Sequence, residues 1–333
     1  MVGVSSGRSV LFLSADLVGS TSYKQKKKGT WQGVFLSFYR QFPQYLSQAW
    51  RELRRDGMES PQFRLWKAVG DELIFEVAVE HEADVSRAVR VWLRALELCE
   101  KDILAEARLG LKGSAFIATF PGPDSEATIP RDPATEDSVL GVVTLNDAAL
   151  KPRGGRSHKK YQFDYFGPSV DTGFRVSANA SHRYFTVSVE VAWALALAAA
   201  GNETNSGEDE HLHVKDMVFK GNVLLKGVWD GREYPLFALD RHVEDAVNKS
   251  VAKLVQPPPT AQEIIDVCRA CHTDVNWPCA LYLPRSTNEH LTTPPVDAMA
   301  SLREGEQSAE GFEELTKKPE AGGEALKADA PTG

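Results

Sequence analysis

Apolar runs and apolar periodicities divide the chain into a regular alternation. Val10–Leu13 is a short unbroken apolar run, and Phe63–Val79 holds two more on either side of Gly70-Asp71. Runs of that length with β-branched and aromatic residues read as strands, and Gly-Asp between two of them reads as a hairpin tip. Trp31–Arg55 places Val34, Phe35, Phe38, Phe42, Tyr45, Leu46, Ala49, Trp50 and Leu53 at helical spacing, with an interruption predicted near Pro43. A second helix is predicted over about 83–107, with Val85, Ala88, Val89, Trp92, Leu93, Leu96 and Leu98 facing the core, and a strand over 109–120. Strand, helix, strand, strand, helix, strand is a ferredoxin-like β-α-β-β-α-β unit, an α+β fold whose antiparallel sheet carries helices on one face.

Downstream, Pro121–Gly155 reads as a surface insertion rich in Pro, Gly and charge. The pattern then predicts a strand over 160–167, a helix over 169–181 and a strand over 183–190. An Ala-rich helix over 192–200, closed by Gly201, leads into an acidic loop to Glu210. Added strands follow over 213–221, 222–229 and 232–239, with turns at Lys220-Gly221 and Asp230-Gly231. These place one domain over 1–240. A C-terminal extension over 241–300 contains the stiff Pro257–Pro259 break and a short helix over 260–270. From 301 to 333 the chain is rich in Glu, Lys, Gly and Ala, so the tail past that extension is predicted to be disordered.

The 333 residues are 42% hydrophobic, enough for a sizeable core, and the formal net charge is −8. That balance excludes a general nucleic-acid binder, which needs a positive field to collect phosphates. Two local basic clusters (Lys24, Lys26, Lys27, Lys28; Lys159, Lys160) suit either a solvated face or a single triphosphate. The first apolar run is interrupted by Asp16, and Val191–Ala200 is well short of the ~20 residues that span a bilayer. These features predict a soluble, cytoplasmic protein with no membrane contact, and four cysteines in that setting predict reduced thiols. Cys268, Cys271, His272 and Cys279 are metal-ligand types at close spacing. Adjacent Cys271 and His272 fit one tetrahedral zinc poorly, so packed thiols are the reading and zinc stays open.

The chemistry centres on Val10–Thr21. A core strand leads into Asp16, then Leu17-Val18-Gly19-Ser20-Thr21, a rigidly held carboxylate followed by a glycine turn whose amides can face a phosphate. Asp71 at the hairpin tip is a second carboxylate. Either one alone is equally an ordinary turn residue. If the strand and the hairpin are neighbours, the two converge, as a pair of divalent cations about 4 Å apart would need.

Three blocks in order, SADLVGST around Asp16, Lys67-Ala-Val-Gly-Asp71 and Asp164-Tyr-Phe-Gly-Pro-Ser-Val-Asp171-Thr-Gly-Phe-Arg175, resemble the signature blocks of class III nucleotidyl cyclases over about residues 8–240. The resemblance implies a head-to-tail homodimer with two active sites, each using Mg²⁺ or Mn²⁺, two ions per site. By it, Asp16, Asp71 and the Leu17 carbonyl would hold metal, and Gly19, Ser20 and Thr21 would cradle phosphates. Lys67 and Asp164 would contact the base, Arg175 would stabilise the transition state, and Asp171 stands where the family usually has a ribose-orienting Asn. The distal lysine on the triphosphate would be Lys226, with Lys220 second.

A Lys–Asp pair at the base is the arrangement expected of adenylate cyclases. The chain as a whole is most similar to the pyrimidine cyclases of bacterial Pycsar anti-phage systems, which implies UTP as the favoured nucleoside triphosphate and cyclic UMP as a messenger for a separate cyclic-nucleotide-binding effector. ATP or CTP cyclisation, an inactive cyclase-fold nucleotide sensor, and a phosphotransfer enzyme of the related palm fold remain as alternatives.

Overall fold

The computed structural model describes residues 7–26, 31–55, 58–134, 140–150, 155–203, 216–254 and 257–316. At its centre is β1 (Arg8–Val18), flanked antiparallel by β3 (Glu72–Val79) and β4 (Gly110–Phe120), with β2 (Arg64–Val69) on the far side of β3. The seven-stranded sheet runs β2-β3-β1-β4-β7-β9-β8, where β7 is Tyr184–Val187, β8 Met217–Leu224 and β9 Glu233–Asp240. Its first four strands carry the order of a ferredoxin-like unit. Among the described residues of this sheet, β4 and β7 pair in parallel and the other neighbours antiparallel, so the fold is α+β with a mostly antiparallel sheet.

Both faces of β1 are covered, which explains its unbroken apolar run. Leu11, Leu13, Ala15 and Leu17 join the main core with Phe35, Phe38 and Phe42 of α2 (Trp31–Leu53) and Val85, Val89, Trp92 and Leu96 of α3 (Glu82–Cys99). Val10 and Phe12 belong to a second cluster with Trp66, Ile74, Phe116, Phe120 and Val170. Each such fully buried side chain stabilises the fold by about 1.5–3 kcal/mol. Asp16 follows Phe12 at the period of two, so it emerges on this second face.

Several boundaries differ from the pattern reading. α2 continues unbroken through Pro43, which sits on the exposed side of the helix, away from its packed face. The helix expected to reach residue 107 ends at Cys99 and passes into a π-turn, Glu100–Leu104. The strand expected to reach residue 190 stops at Val187, because α6 (Val189–Glu203) starts two residues later and contains Gly201 rather than ending at it. Two of the three closing strands are one: β8 runs through Lys220-Gly221, where Gly221 at φ 92° forms a bulge instead of a turn. The expected acidic loop lies mainly outside the described residues.

The chain divides into two compact units, residues 7–127 with 164–298, and 128–163 with the chain from 299. It passes between them along β5 (Ser125–Pro130) and β6 (Tyr161–Phe166), which form a two-stranded sheet. The first unit also contains α1 (Ser20–Lys26), α5 (Pro168–Ser177), α7 (Ala246–Ala252) and α8 (Ala261–Thr273). The extension beyond residue 240 is therefore part of the same unit: α8 buries Ile264, Ile265, Cys268 and Cys271, and the Cys268 thiol contacts the Val189 carbonyl at 3.5 Å.

In the second unit the expected insertion contains α4 (Val142–Ala149), and residues expected to lack structure form α9 (Ala300–Thr316). Glu306 of α9 accepts from the Val143 and Thr144 amides at the start of α4, and Arg303 donates to Asp147 at 2.5 Å. Among the described residues, no helix is long and apolar enough to cross a membrane.

Candidate active site

Two clusters of polar side chains are assembled in the first unit. One surrounds the end of β1. The strand runs two residues past Asp16, placing that carboxylate inside the sheet, opposite Glu72 of β3 and Lys112 of β4. The Lys112 ammonium lies 3.0 Å from Asp16 Oδ2. The neighbouring hairpin turns at Gly70 (φ 62°), whose carbonyl accepts from the Tyr39 hydroxyl, and the Leu17 amide donates to the Asp71 carbonyl at 3.4 Å. Those contacts tie the hairpin tip to both α2 and β1. Gly19 at φ 80° then turns the chain into α1.

As a result Asp16, Leu17, Val18, Gly19, Ser20, Thr21, Asp71 and Lys112 line one open cavity of about 340 Å³. The convergence expected of Asp16 and Asp71 is therefore found. Lys112 and Glu72 were not anticipated, because only strand register places them beside Asp16. Glu72 has its carboxyl raised, first by burial and then by the charge of Asp16, against the opposing effects of Ser14 and Lys112. Lys24 stands 4.0 Å from Asp71 and over the Phe35 ring at 4.7 Å.

The donors here are all oxygens: two carboxylates, with the Leu17 carbonyl beside them. That set fits hard divalent cations such as Mg²⁺ or Mn²⁺ rather than zinc or copper. Among the described residues no group of three or more His, Cys, Asp or Glu is placed to hold a metal ion by itself. An ion here would need oxygens from its substrate.

The second cluster is made of two polar groups, one on β2 and β6 and one on α5 and the β8–β9 connection, linked through the Trp66–Phe174 ring contact at 6.0 Å. The Lys67 ammonium is 2.7 Å from Asp164 Oδ1 and 3.0 Å from Oδ2. Asp164 also accepts from the Trp66 indole N–H at 3.0 Å and the Tyr165 amide at 2.9 Å, and Lys67 lies 3.9 Å above the Trp66 ring. Both partners keep about a quarter of their side chains exposed, 26% and 28%.

On α5, Arg175 donates from Nη1 to the Asp171 carbonyl at 2.9 Å and from Nε to the Lys226 carbonyl at 2.5 Å. The structure thus joins Arg175, Asp171 and Lys226, the last through its backbone. Lys220, the other lysine considered, lies instead 3.6 Å above the Tyr184 ring. None of Lys67, Asp164, Asp171, Arg175 or Lys226 lines the cavity around Asp16.

The cysteines have a packing role. Cys99, Cys268, Cys271 and Cys279 are free and buried. Burial pushes the Cys271 thiol up to about 12 and holds those of Cys268 and Cys279 well above the ordinary range, so as packed here they stay protonated. His272 is 3.2 Å from Glu190, which also accepts from the Trp277 indole at 3.2 Å. The zinc arrangement left open by sequence is therefore not assembled among the described residues.

No protein-family model matches the chain. No curated protein matches it significantly either. Among solved structures it is similar to the adenylyl cyclase CyaB from P. aeruginosa, at 11% identity and a TM-score of 0.44, over 70% of this chain and 94% of that one. It is also similar to the guanylyl cyclase Cya2, at 15% identity and a TM-score of 0.41, over 70% of this chain and 92% of that one. The guanylate cyclase domain of RhGC from Catenaria anguillulae is similar at 10% identity and a TM-score of 0.41, over 71% and 100%.

Proposed function

We propose that the protein is a class III nucleotidyl cyclase that closes a nucleoside triphosphate to its 3′,5′-cyclic monophosphate and releases pyrophosphate. The observation that carries this reading is the shared cavity of Asp16, Asp71 and the Gly19–Thr21 turn, beside a separate cluster that holds Lys67, Asp164, Asp171 and Arg175. Cavity and cluster are complementary halves of one site. Two copies arranged head to tail bring the cavity of one protomer against the cluster of its partner. Exposed apolar side chains on the strands and helix that carry the cluster support a second copy there: Leu65 and Val69 of β2, Phe166 of β6 and Phe174 of α5 are 55%, 54%, 52% and 38% exposed.

In this reading Asp16, Asp71 and the Leu17 carbonyl hold the divalent cations, which when bound acidify the 3′-hydroxyl and neutralise the triphosphate. The Gly19–Thr21 amides and the Lys112 ammonium meet phosphate oxygens at the mouth of the same cavity. Arg175 from the partner meets the negative charge that grows on the α-phosphoryl group, an interaction strengthened by exclusion of water from the interface. Asp171 accepts from a ribose hydroxyl. No protein nucleophile is needed, because the attacking oxygen belongs to the substrate.

Lys67 and Asp164 present one donor and one acceptor edge to edge. Uracil offers O4 and N3–H to such a pair, and adenine offers N1 and its exocyclic amine, so the pair by itself serves both. The resemblance to Pycsar cyclases favours UTP, giving cyclic UMP for a separate effector in anti-phage defence. Adenylate cyclisation is the second reading, favoured by the Lys–Asp pair as such. Incubation with each of the four ribonucleoside triphosphates and Mn²⁺, with products identified by mass spectrometry, separates them. Cyclic UMP is expected; cyclic AMP alone removes the pyrimidine assignment, and only linear products remove the cyclase.

A further inference from the structure

The turn after β4 contains a carboxylate with no part in the reaction as described. Asp124 is fully buried, at 0% exposure. Its Oδ2 accepts from the Thr119 amide at 3.1 Å, while Oδ1 accepts from the Ser169 amide at 2.9 Å and the Val170 amide at 3.4 Å. Ser169 and Val170 are the second and third residues of α5. The residue before that helix is Gly167, which has no side chain to cap it, and Pro168 contributes no amide. Asp124 supplies the missing cap from 45 residues earlier in the chain.

Gly167 is shaped around this contact. It sits at φ 141°, and a Cβ there would lie 2.5 Å from Asp124 Oδ1 and 2.7 Å from Asp124 Cα. α5 carries Asp171 directly after the gripped amides and Arg175 about one and a half turns beyond them. We propose that Asp124 is a positioning residue for the transition-state end of the site, fixing the height and rotation of α5 and through it Arg175 and Asp171.

The inference rests on the cyclase reading for what α5 does, but not for how α5 is held. Burial pushes the Asp124 carboxyl up to about 6 even though three amides favour its ionised form. The Cys279 thiol feels the Asp124 charge and interacts with the Ser169 and Thr172 side chains of α5. A charge held there at a net cost, gripping a helix that bears two site residues, is arranged for placement rather than cohesion.

The test uses two variants that disturb the contact from opposite sides. Asp124→Asn is isosteric but must turn an NH₂ toward one of the three amides; Gly167→Ala pushes the carboxylate away. The expected result is a fall in kcat of about tenfold or more with KM within about twofold. Thermal stability of Asp124→Asn at pH 7.5 is unchanged or raised, and hydrogen-exchange protection of the amides at 169 and 170 is lost. Unchanged kcat and unchanged protection in both variants overturn the proposal. So does a kcat loss matched by a fall in stability, which would mark Asp124 as an ordinary structural residue. If the wild type makes no cyclic product while protection at 169 and 170 still drops in both variants, the cyclase reading fails and the grip of Asp124 on α5 stands.

Discussion

Lys67 and Asp164 meet across 97 positions of sequence, with the Lys67 ammonium 2.7 Å from one Asp164 oxygen and 3.0 Å from the other. The pair is held from below, since the Trp66 indole both donates to Asp164 and underlies the Lys67 ammonium. An ion pair of this kind, between strands of two different sheets and at a quarter exposure, contributes modestly to stability, of the order of 1 kcal/mol or less. Its interest is as a donor and acceptor fixed side by side.

Removing either partner should therefore affect recognition more than folding. Lys67→Ala and Asp164→Ala are each expected to raise KM for the preferred triphosphate by about tenfold or more and to narrow its advantage over the other three nucleotides, with little change in melting temperature. Competition assays with mixed triphosphates measure this. Full retention of selectivity in both variants would remove the pair from base recognition.

The cavity around Asp16 and Asp71 gives a second expectation. Asp71→Asn removes half of the charge available to a dication and is expected to abolish product formation while leaving the hydrodynamic size unchanged. Mn²⁺ binding in the presence of a non-cyclisable nucleoside triphosphate, followed by electron paramagnetic resonance, should weaken in parallel. Retained Mn²⁺ binding together with retained turnover would place the metal elsewhere.

If cavity and cluster belong to partner subunits, inactive variants should complement. Asp71→Asn and Arg175→Ala are each expected to be inactive, yet an equimolar mixture allowed to exchange subunits should recover about a quarter of wild-type activity. Half the dimers are then mixed, and one of their two sites is intact. A mixture as dead as its components would sink the shared-site arrangement.

Asp124 gives a pH dependence with a definite sign. Its folded-state pKa, about 6, lies above its ordinary value of 3.8. The stability this group contributes is therefore fully present below about pH 3.8 and is lost as pH rises through about 6. Across that window the loss is roughly 3 kcal/mol. The stability of the wild type minus that of Asp124→Asn, from urea titrations between pH 4 and 7.5, should become less favourable to the wild type as pH rises. A flat difference would mean that the carboxyl is not desolvated as the structure implies.

The second unit predicts a stability effect. Glu306→Ala leaves the Val143 and Thr144 amides at the start of α4 without their acceptor, a loss of about 1 kcal/mol for that helix. Limited proteolysis of full-length protein should show faster cleavage within 128–163 in the variant than in the wild type. Equal rates would mean that α9 does not hold the insertion.

How much of this was legible beforehand follows from how each feature is encoded. The ferredoxin-like order, the hairpin at Gly70-Asp71 and the core helices were readable because strand and helix periods are written in local apolar spacing. Asp16 and Asp71 were readable as a pair because one interrupts the apolar run of a buried strand and the other sits at a hairpin tip, although β1 in fact continues two residues past Asp16. Helix and strand limits were misjudged where tertiary burial outweighed local signals: Gly221 is a bulge because β9 continues past it, and Pro43 is tolerated because its side of α2 faces water. Lys112, Glu72 and Asp124 carry no local signature. The first two are set by which residues fall opposite Asp16 in two neighbouring strands, and the third by a helix start 45 positions away. Spacing along the chain determined which groups were capable of chemistry; packing across the sheet decided which of them share a cavity, because register and helix placement depend on contacts between residues that sequence separation does not reveal.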